Sequence, residues 1–226
     1  MLNAQAVCRV ASQLKKAGFT PDLMISHNGW GETLFLKDVF PKSPLLSYFE
    51  FYYQPVGSDI DFDPEYPDTI DTRLRSRVLN ALNLMGLECA DAGQTPTQWQ
   101  RAQFPPHYRE RISLVHEGID TNLVRLEAQA SMRLASGSQL RAGDEIVTYV
   151  SRGLEPYRGF HIFMRALPEI LRRRPKAHVL IVGSDDVSYG AALAPGKTYR
   201  HKALAEVGAE LDMNRVHFLG RVPYEA

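Results

Sequence analysis

The chain has little cysteine, no net charge, no long apolar run and no leader-like start. It has two cysteines in 226 residues, Cys8 and Cys89, far apart and outside any C-x-x-C spacing. That argues against a disulfide scaffold, and two lone thiols suit a reduced, cytosolic protein. Lysine plus arginine and aspartate plus glutamate are both 26. Such a balance lacks the basic field expected of a nucleic-acid binder. No apolar stretch approaches the roughly 18 residues of a membrane span. Near the N-terminus Arg9, Lys15 and Lys16 break the apolar stretch that a signal peptide would need. No Gly-x-Gly-x-x-Gly occurs, which weakens a dinucleotide-dependent dehydrogenase reading. What remains is ordinary: 44% hydrophobic and 23% charged residues, in a chain long enough to bury a core. The expectation is a globular, cytoplasmic protein of one or two domains.

The hydrophobic pattern alternates between short apolar runs and helical periods. Ala6, Val7, Val10, Ala11 and Leu14 predict a first helix that stops at Gly18. Strands are expected at 22–26, 44–49, 87–90 and 112–115. Helices are expected at 32–39, at 71–85 with Leu74, Val78, Leu79 and Leu82 on one face, and at 96–101. Residues 121–143 are polar and aperiodic, which suggests a domain connection. Then strands at 145–150, 178–182 and 216–219 alternate with helices at 160–173 and 199–211. Strands separated by helices of this length imply βαβ units and a parallel sheet. Domains are expected at 1–142 and 143–226.

In parallel sheets ligands bind at the carboxyl ends of strands. Three such turns are unusual: His27-Asn-Gly-Trp-Gly31, Ser151 to Gly159, and Gly183-Ser-Asp-Asp186. In the second, Arg152 and Arg158 flank a loop pinned by Gly153, Pro156 and Gly159. Guanidinium forks match phosphate oxygens, and a helix start adds its positive end. Two readings stand, a diphosphate cradle and a pair of solvated loop residues. His27 is either a hydrogen-bonded structural residue or a substrate contact, and Gly29 and Gly31 permit close backbone approach. The acidic stretch from Asp59 to Asp71 can be read as a hard-cation site. Its prolines and the lack of a suitable glycine favour a solvated loop. His116-Glu-Gly118 is no zinc motif, because no second ligand follows at helical spacing.

Several of these stretches share a pattern. Thr148-Tyr-Val-Ser-Arg-Gly-Leu-Glu-Pro-Tyr-Arg-Gly-Phe160, Leu180-Ile-Val-Gly183 and Val216-His-Phe-Leu-Gly220 together resemble the retaining glycosyltransferases of family 4. Pro21-Asp-Leu-Met-Ile-Ser-His27, Pro96-Thr-Gln-Trp-Gln-Arg101 and Val115-His-Glu-Gly-Ile-Asp120 extend the likeness upstream. Serine at 151 replaces a usual glycine, and arginine at 158 stands where lysine is also found. The resemblance implies an α/β, GT-B-like fold of two Rossmann-type domains with parallel sheets, both incomplete, and a site in the cleft between them. The family's first strand and glycine-rich loop are expected before residue 1. Its Glu-x7-Glu element is expected after Tyr224-Glu-Ala226.

The implied reaction moves a hexose from a nucleoside diphosphate sugar to an acceptor hydroxyl, with retention. Arg152 and Arg158 would bind the donor diphosphate in place of a metal, so neither a metal nor a cofactor is expected. His27 would be the catalytic-site histidine near the sugar. Asn28, Gly29, Glu155 and Gly183 would be substrate-binding, with Glu155 either holding an arginine or touching the donor. The implied partners are a nucleotide-sugar and a glycan or lipid-linked acceptor, without nucleic acid. Peripheral membrane association and self-association are compatible with this. A non-catalytic nucleotide- or sugar-binding module of the same fold is the alternative.

Overall fold

The computed structural model describes residues 2–134 and 137–223, so the terminal Tyr224-Glu-Ala226 lies outside the described residues. Two compact units divide between Gly118 and Ile119.

In the first unit, β1 (Met24–His27), β2 (Leu45–Tyr48), β3 (Ala92–Thr95) and β4 (Ile112–Leu114) form a parallel sheet in chain order. Helix α1 (Leu2–Lys16) precedes it, with Lys15 and Lys16 in its last turn, where cations complement the helix dipole. A short α2 (Leu36–Val39) follows β1. One core cluster joins Ala11, Met24, Val39, Phe40 and Leu45; a second joins Phe49, Leu87, Ala90, Phe104 and Ile112. Helix α4 (Gln98–Gln103) starts at Thr97, whose side chain accepts the Gln100 N–H, and α5 (Pro106–Arg109) leads into β4.

Helix α3 (Ile70–Cys89) keeps only part of the expected facing. Half of the apolar stripe is turned outward, Leu74 at 53% and Val78 at 71% exposure, while Leu79 and Leu82 are half-buried. Ser76, Asn80, Asn83, Gly86 and Leu87 are buried instead, at helical spacing. The reason is the neighbouring segment 51–53, which lies outside the sheet and whose backbone needs partners. Asn80 accepts the Tyr53 N–H at 2.9 Å and donates to the Tyr53 carbonyl at 2.7 Å. Asn83 donates to the Phe51 carbonyl at 2.9 Å. The strand expected at 87–90 is therefore the end of this helix, and the pairing strand begins only at Ala92.

The second unit opens with a hairpin absent from the sequence-based reading. Strands β5 (Ser131–Arg133) and β6 (Gln139–Arg141) pair antiparallel within the stretch expected to be a connection. Leu134 and Leu140 pack on Leu180, with Met132 and Leu219 alongside, so the hairpin shares the second unit's core. That is why the observed division falls upstream of 142. Strands β7 (Ile146–Gly153), β8 (His178–Ser184) and β9 (Val216–Gly220) then form a three-stranded parallel sheet. Helix α6 (Phe160–Arg173) buries Phe160, Met164, Leu167 and Leu171 along one face, and α7 (Tyr199–Val207) is capped by Thr198.

Candidate functional site

Polar residues gather at the carboxyl ends of the strands in both units. In the second unit, β7 is bulged where it leaves the sheet. Val150 pairs with Val182 and Gly153 with Ser184, so β7 holds one extra residue at Ser151–Arg152. Bulges next to ligand sites re-aim side chains. The Arg152 guanidinium has no hydrogen-bond or ion-pair partner among the described residues, and the residue is exposed. The Arg152 carbonyl accepts from the Ser184 hydroxyl at 3.2 Å.

Arg158 sits six residues on, in a 3-10 turn, Pro156–Arg158, before α6. Its Nε lies 3.7 Å from Glu155 Oε1 and its guanidinium 5.2 Å from the Tyr189 ring centre. Glu155 is fully buried and accepts the Ser188 N–H at 2.5 Å and the Tyr189 N–H at 3.1 Å. Of its two expected roles, holding the arginine is the one the geometry displays. This buried carboxylate ties the loop after β8 to the loop after β7 and sets a negative charge beside Arg158. Gly159, at φ 70°, then lets the chain enter α6, and no side chain caps that helix start. The start is open in the sense that anions use.

Gly183 was expected at the substrate. A Cβ there would lie 2.9 Å from the Ser151 carbonyl oxygen and from Leu154 Cδ2, so the glycine admits the bulged β7. Beyond it the sequence reading missed Arg221, which bonds Asp186 at 2.9 Å and Ser184 at 3.3 Å. Arg200 pairs with Asp185 at 2.6 Å and lies over the Phe218 ring.

In the first unit, His27 ends β1. Its Nε2 lies 3.1 Å from Glu50 Oε2, and its Nδ1 accepts the Gly29 N–H at 3.0 Å. A Cβ at Gly29 would come within 2.5 Å of the His27 ring, so a glycine is needed here for the histidine to fold back over the turn. Asn28, also expected at the substrate, turns into the interior at 1% exposure. It donates to Asn83 Oδ1 at 3.2 Å and to the Leu82 carbonyl at 3.4 Å. Trp30 is 69% exposed.

Tyr48, at the end of β2, stands with its ring 5.4 Å from that of His27 and donates its hydroxyl to Glu117 at 2.5 Å. Burial, the bond to Glu117 and the charges of Glu117 and Glu50 hold this phenol well above the usual tyrosine range. It is a lasting donor. Tyr48, Glu50 and Glu117 were not singled out from the sequence, yet each lies at or just past a strand's carboxyl end, which is the signal that could have found them. In the acidic loop, Asp61 pairs with Arg73. The Asp61 N–H donates to the Asp68 carboxylate at 2.9 Å, the Asp61 carboxylate accepts the Asp68 N–H at 3.2 Å, and burial raises the pKa of the Asp59 carboxyl.

Two units of parallel sheet with polar groups at the strand ends place the chain in the α/β class with GT-B-like structures. The profile of the glycosyl transferase family 4 group matches residues 1–124, and the chain belongs to that family. A curated relative, the D-inositol 3-phosphate glycosyltransferase of Segniliparus rotundus, is 29% identical over 102 residues. That alignment covers 44% of this chain and 21% of the relative, so only about a fifth of the relative's length is spanned. Among solved structures, the apo structure of OtsA has a TM-score of 0.57 at 11% identity, covering 99% of this chain and 53% of that one. The crystal structure of TarM has a TM-score of 0.50 at 12% identity, covering 96% and 36%. At such identities these two likenesses speak for the fold.

Proposed function

We propose that the chain serves retaining glycosyl transfer, moving a hexose from a nucleoside diphosphate sugar to an acceptor hydroxyl. The observation that carries this is the bulged end of β7. It presents an unpaired Arg152, while a buried Glu155 lies beside Arg158 at the open start of α6. Family membership supports the activity, and the named relative is itself a glycosyltransferase. In this reaction the bond from the anomeric carbon to the diphosphate breaks, leaving negative charge on the leaving group and positive charge on the sugar. The acceptor oxygen bonds to that carbon, and its hydroxyl proton passes to the departing diphosphate. Two guanidiniums stabilise the diphosphate electrostatically, which needs neither a metal nor a cofactor. His27 is held by the Gly29 N–H at Nδ1 and by Glu50 at Nε2, and a sugar or acceptor hydroxyl that reaches it exchanges for Glu50 at Nε2. Retention rests on the resemblance to the family's arginine loop.

Calorimetric titration of the intact chain with uridine diphosphate and with uridine tests the cradle. Arg158→Ala is expected to weaken diphosphate binding about ten- to a hundred-fold, the loss of one charge-assisted contact, while uridine binding changes little. Arg158→Lys recovers part of this, because an ammonium does not reproduce a fork. Equal weakening of both ligands would remove the phosphate assignment.

A further inference from the structure

The carboxyl edge of β1–β4 carries two mixed pairs, His27 with Glu50 and Tyr48 with Glu117, joined through the His27–Tyr48 ring contact. Each carboxylate uses one oxygen: Oε2 of Glu50 and Oε1 of Glu117. The other oxygen of each has no side-chain or backbone partner among the described residues, and no lysine or arginine there pairs with either acid. A carboxylate offers about four lone-pair positions, so both remain strong acceptors for O–H or N–H donors. The Glu50 side chain is 56% exposed, and Glu117 is exposed. Beside them lies the tilted His27–Tyr48 ring pair, an apolar surface of the kind on which the C–H faces of a sugar pack.

We infer that this edge is a subsite for an uncharged polyol or an amino sugar, and that Glu50 and Glu117 select against a phosphate at the same position. Its assignment to the acceptor rests on the glycosyl-transfer reading; the ligand chemistry does not. Hydroxyl and ammonium groups donate to the two free carboxylate oxygens. A phosphate meets two negative charges with no guanidinium or ammonium to offset them, a repulsion that solvent moderates and salt screens.

Ligand-observed NMR with the intact chain tests this, using glucosamine, glucose and glucose 6-phosphate, with uridine diphosphate titrated separately. Glucosamine is expected to bind tightest, and glucose 6-phosphate about tenfold weaker than glucose or worse. Glu50→Gln combined with Glu117→Gln keeps a hydrogen-bonding group opposite His27 and Tyr48, and should erase the preference. Raising salt from about 0.05 M to about 0.5 M should narrow the gap in the unmodified protein, a readout that needs no variant. The inference is overturned if glucose 6-phosphate binds as well as glucose, if no sugar binds, or if the double variant keeps the order. Uridine diphosphate binding beside any of those results leaves the transfer reading standing. The expected sugar order without diphosphate binding removes that reading and keeps the subsite.

Discussion

Gly86 lies where α3 passes closest to the turn after β1. A Cβ there would stand 1.8 Å from Asn28 Oδ1, deep inside the van der Waals limit. In an exposed helix alanine is better than glycine by roughly 1 kcal/mol. At this position overpacking outweighs propensity, and Gly86→Ala is expected to destabilise the first unit by about 1–3 kcal/mol. Urea denaturation of Gly86→Ala and of Gly86→Ala with Asn28→Ala checks the cause. Shortening Asn28 should return part of the loss, whereas an equal loss in both would point away from this contact. The same residue-level geometry explains why Asn28, Gly29 and Gly183 drew notice as ligand residues. Polar and small residues after a strand signal close approach, but the sequence does not say whether a ligand or the protein itself approaches. The position of Arg152 was legible because a strand end followed by a helix leaves few places for a guanidinium to go. Glu50 and Glu117 were not legible, since their role comes from neighbouring strands that are distant in sequence.

At the amino end of the second sheet, His178 Nδ1 and His217 Nε2 lie 3.1 Å apart with the rings stacked. One ring donates and the other accepts, so both cannot carry a proton at that contact. Burial, then the charge of His178, push the His217 pKa below its ordinary value. A histidine depressed in the fold favours the neutral state. Its stabilising contribution is present above the unfolded value of about 6.5 and is lost as pH falls below it. Denaturant midpoints taken between about pH 8 and pH 5 should therefore fall more steeply for the unmodified protein than for His217→Leu; parallel slopes would contradict this. The sequence showed these strands well, since β7, β8 and β9 are β-branched and apolar enough to declare themselves. β3 (Ala92–Thr95) did not, because Ala-Gly-Gln-Thr has no strand signature and pairs only by being enclosed between β2 and β4. The β5–β6 hairpin was missed for the complementary reason. Its strands are three residues long and polar, and only Leu140 among the β6 residues is buried.

Both tryptophans, Trp30 and Trp99, belong to the first compact unit, and the second has none. Each unit has its own apolar clusters. Cooperative opening follows such units. Unfolding followed by tryptophan fluorescence is expected to report the first unit alone, while far-ultraviolet circular dichroism sums both. The two probes should give different midpoints, and coincident curves at several pH values would contradict separate unfolding. No helix among the described residues is long and apolar enough to cross a membrane.

The asparagine face of α3 has a consequence for precision. A helix seated on leucines can rotate or slide by a fraction of an ångström at little cost, because apolar contacts have no preferred direction. Hydrogen bonds do have one, and weaken steeply when misaligned. Asn80 and Asn83 fasten α3 to three backbone groups of segment 51–53, and Asn83 in turn accepts from Asn28, the residue after His27. The helix thus acts as a gauge block between the chain that carries Glu50 and the chain that carries His27. It sets their spacing to hydrogen-bond tolerance.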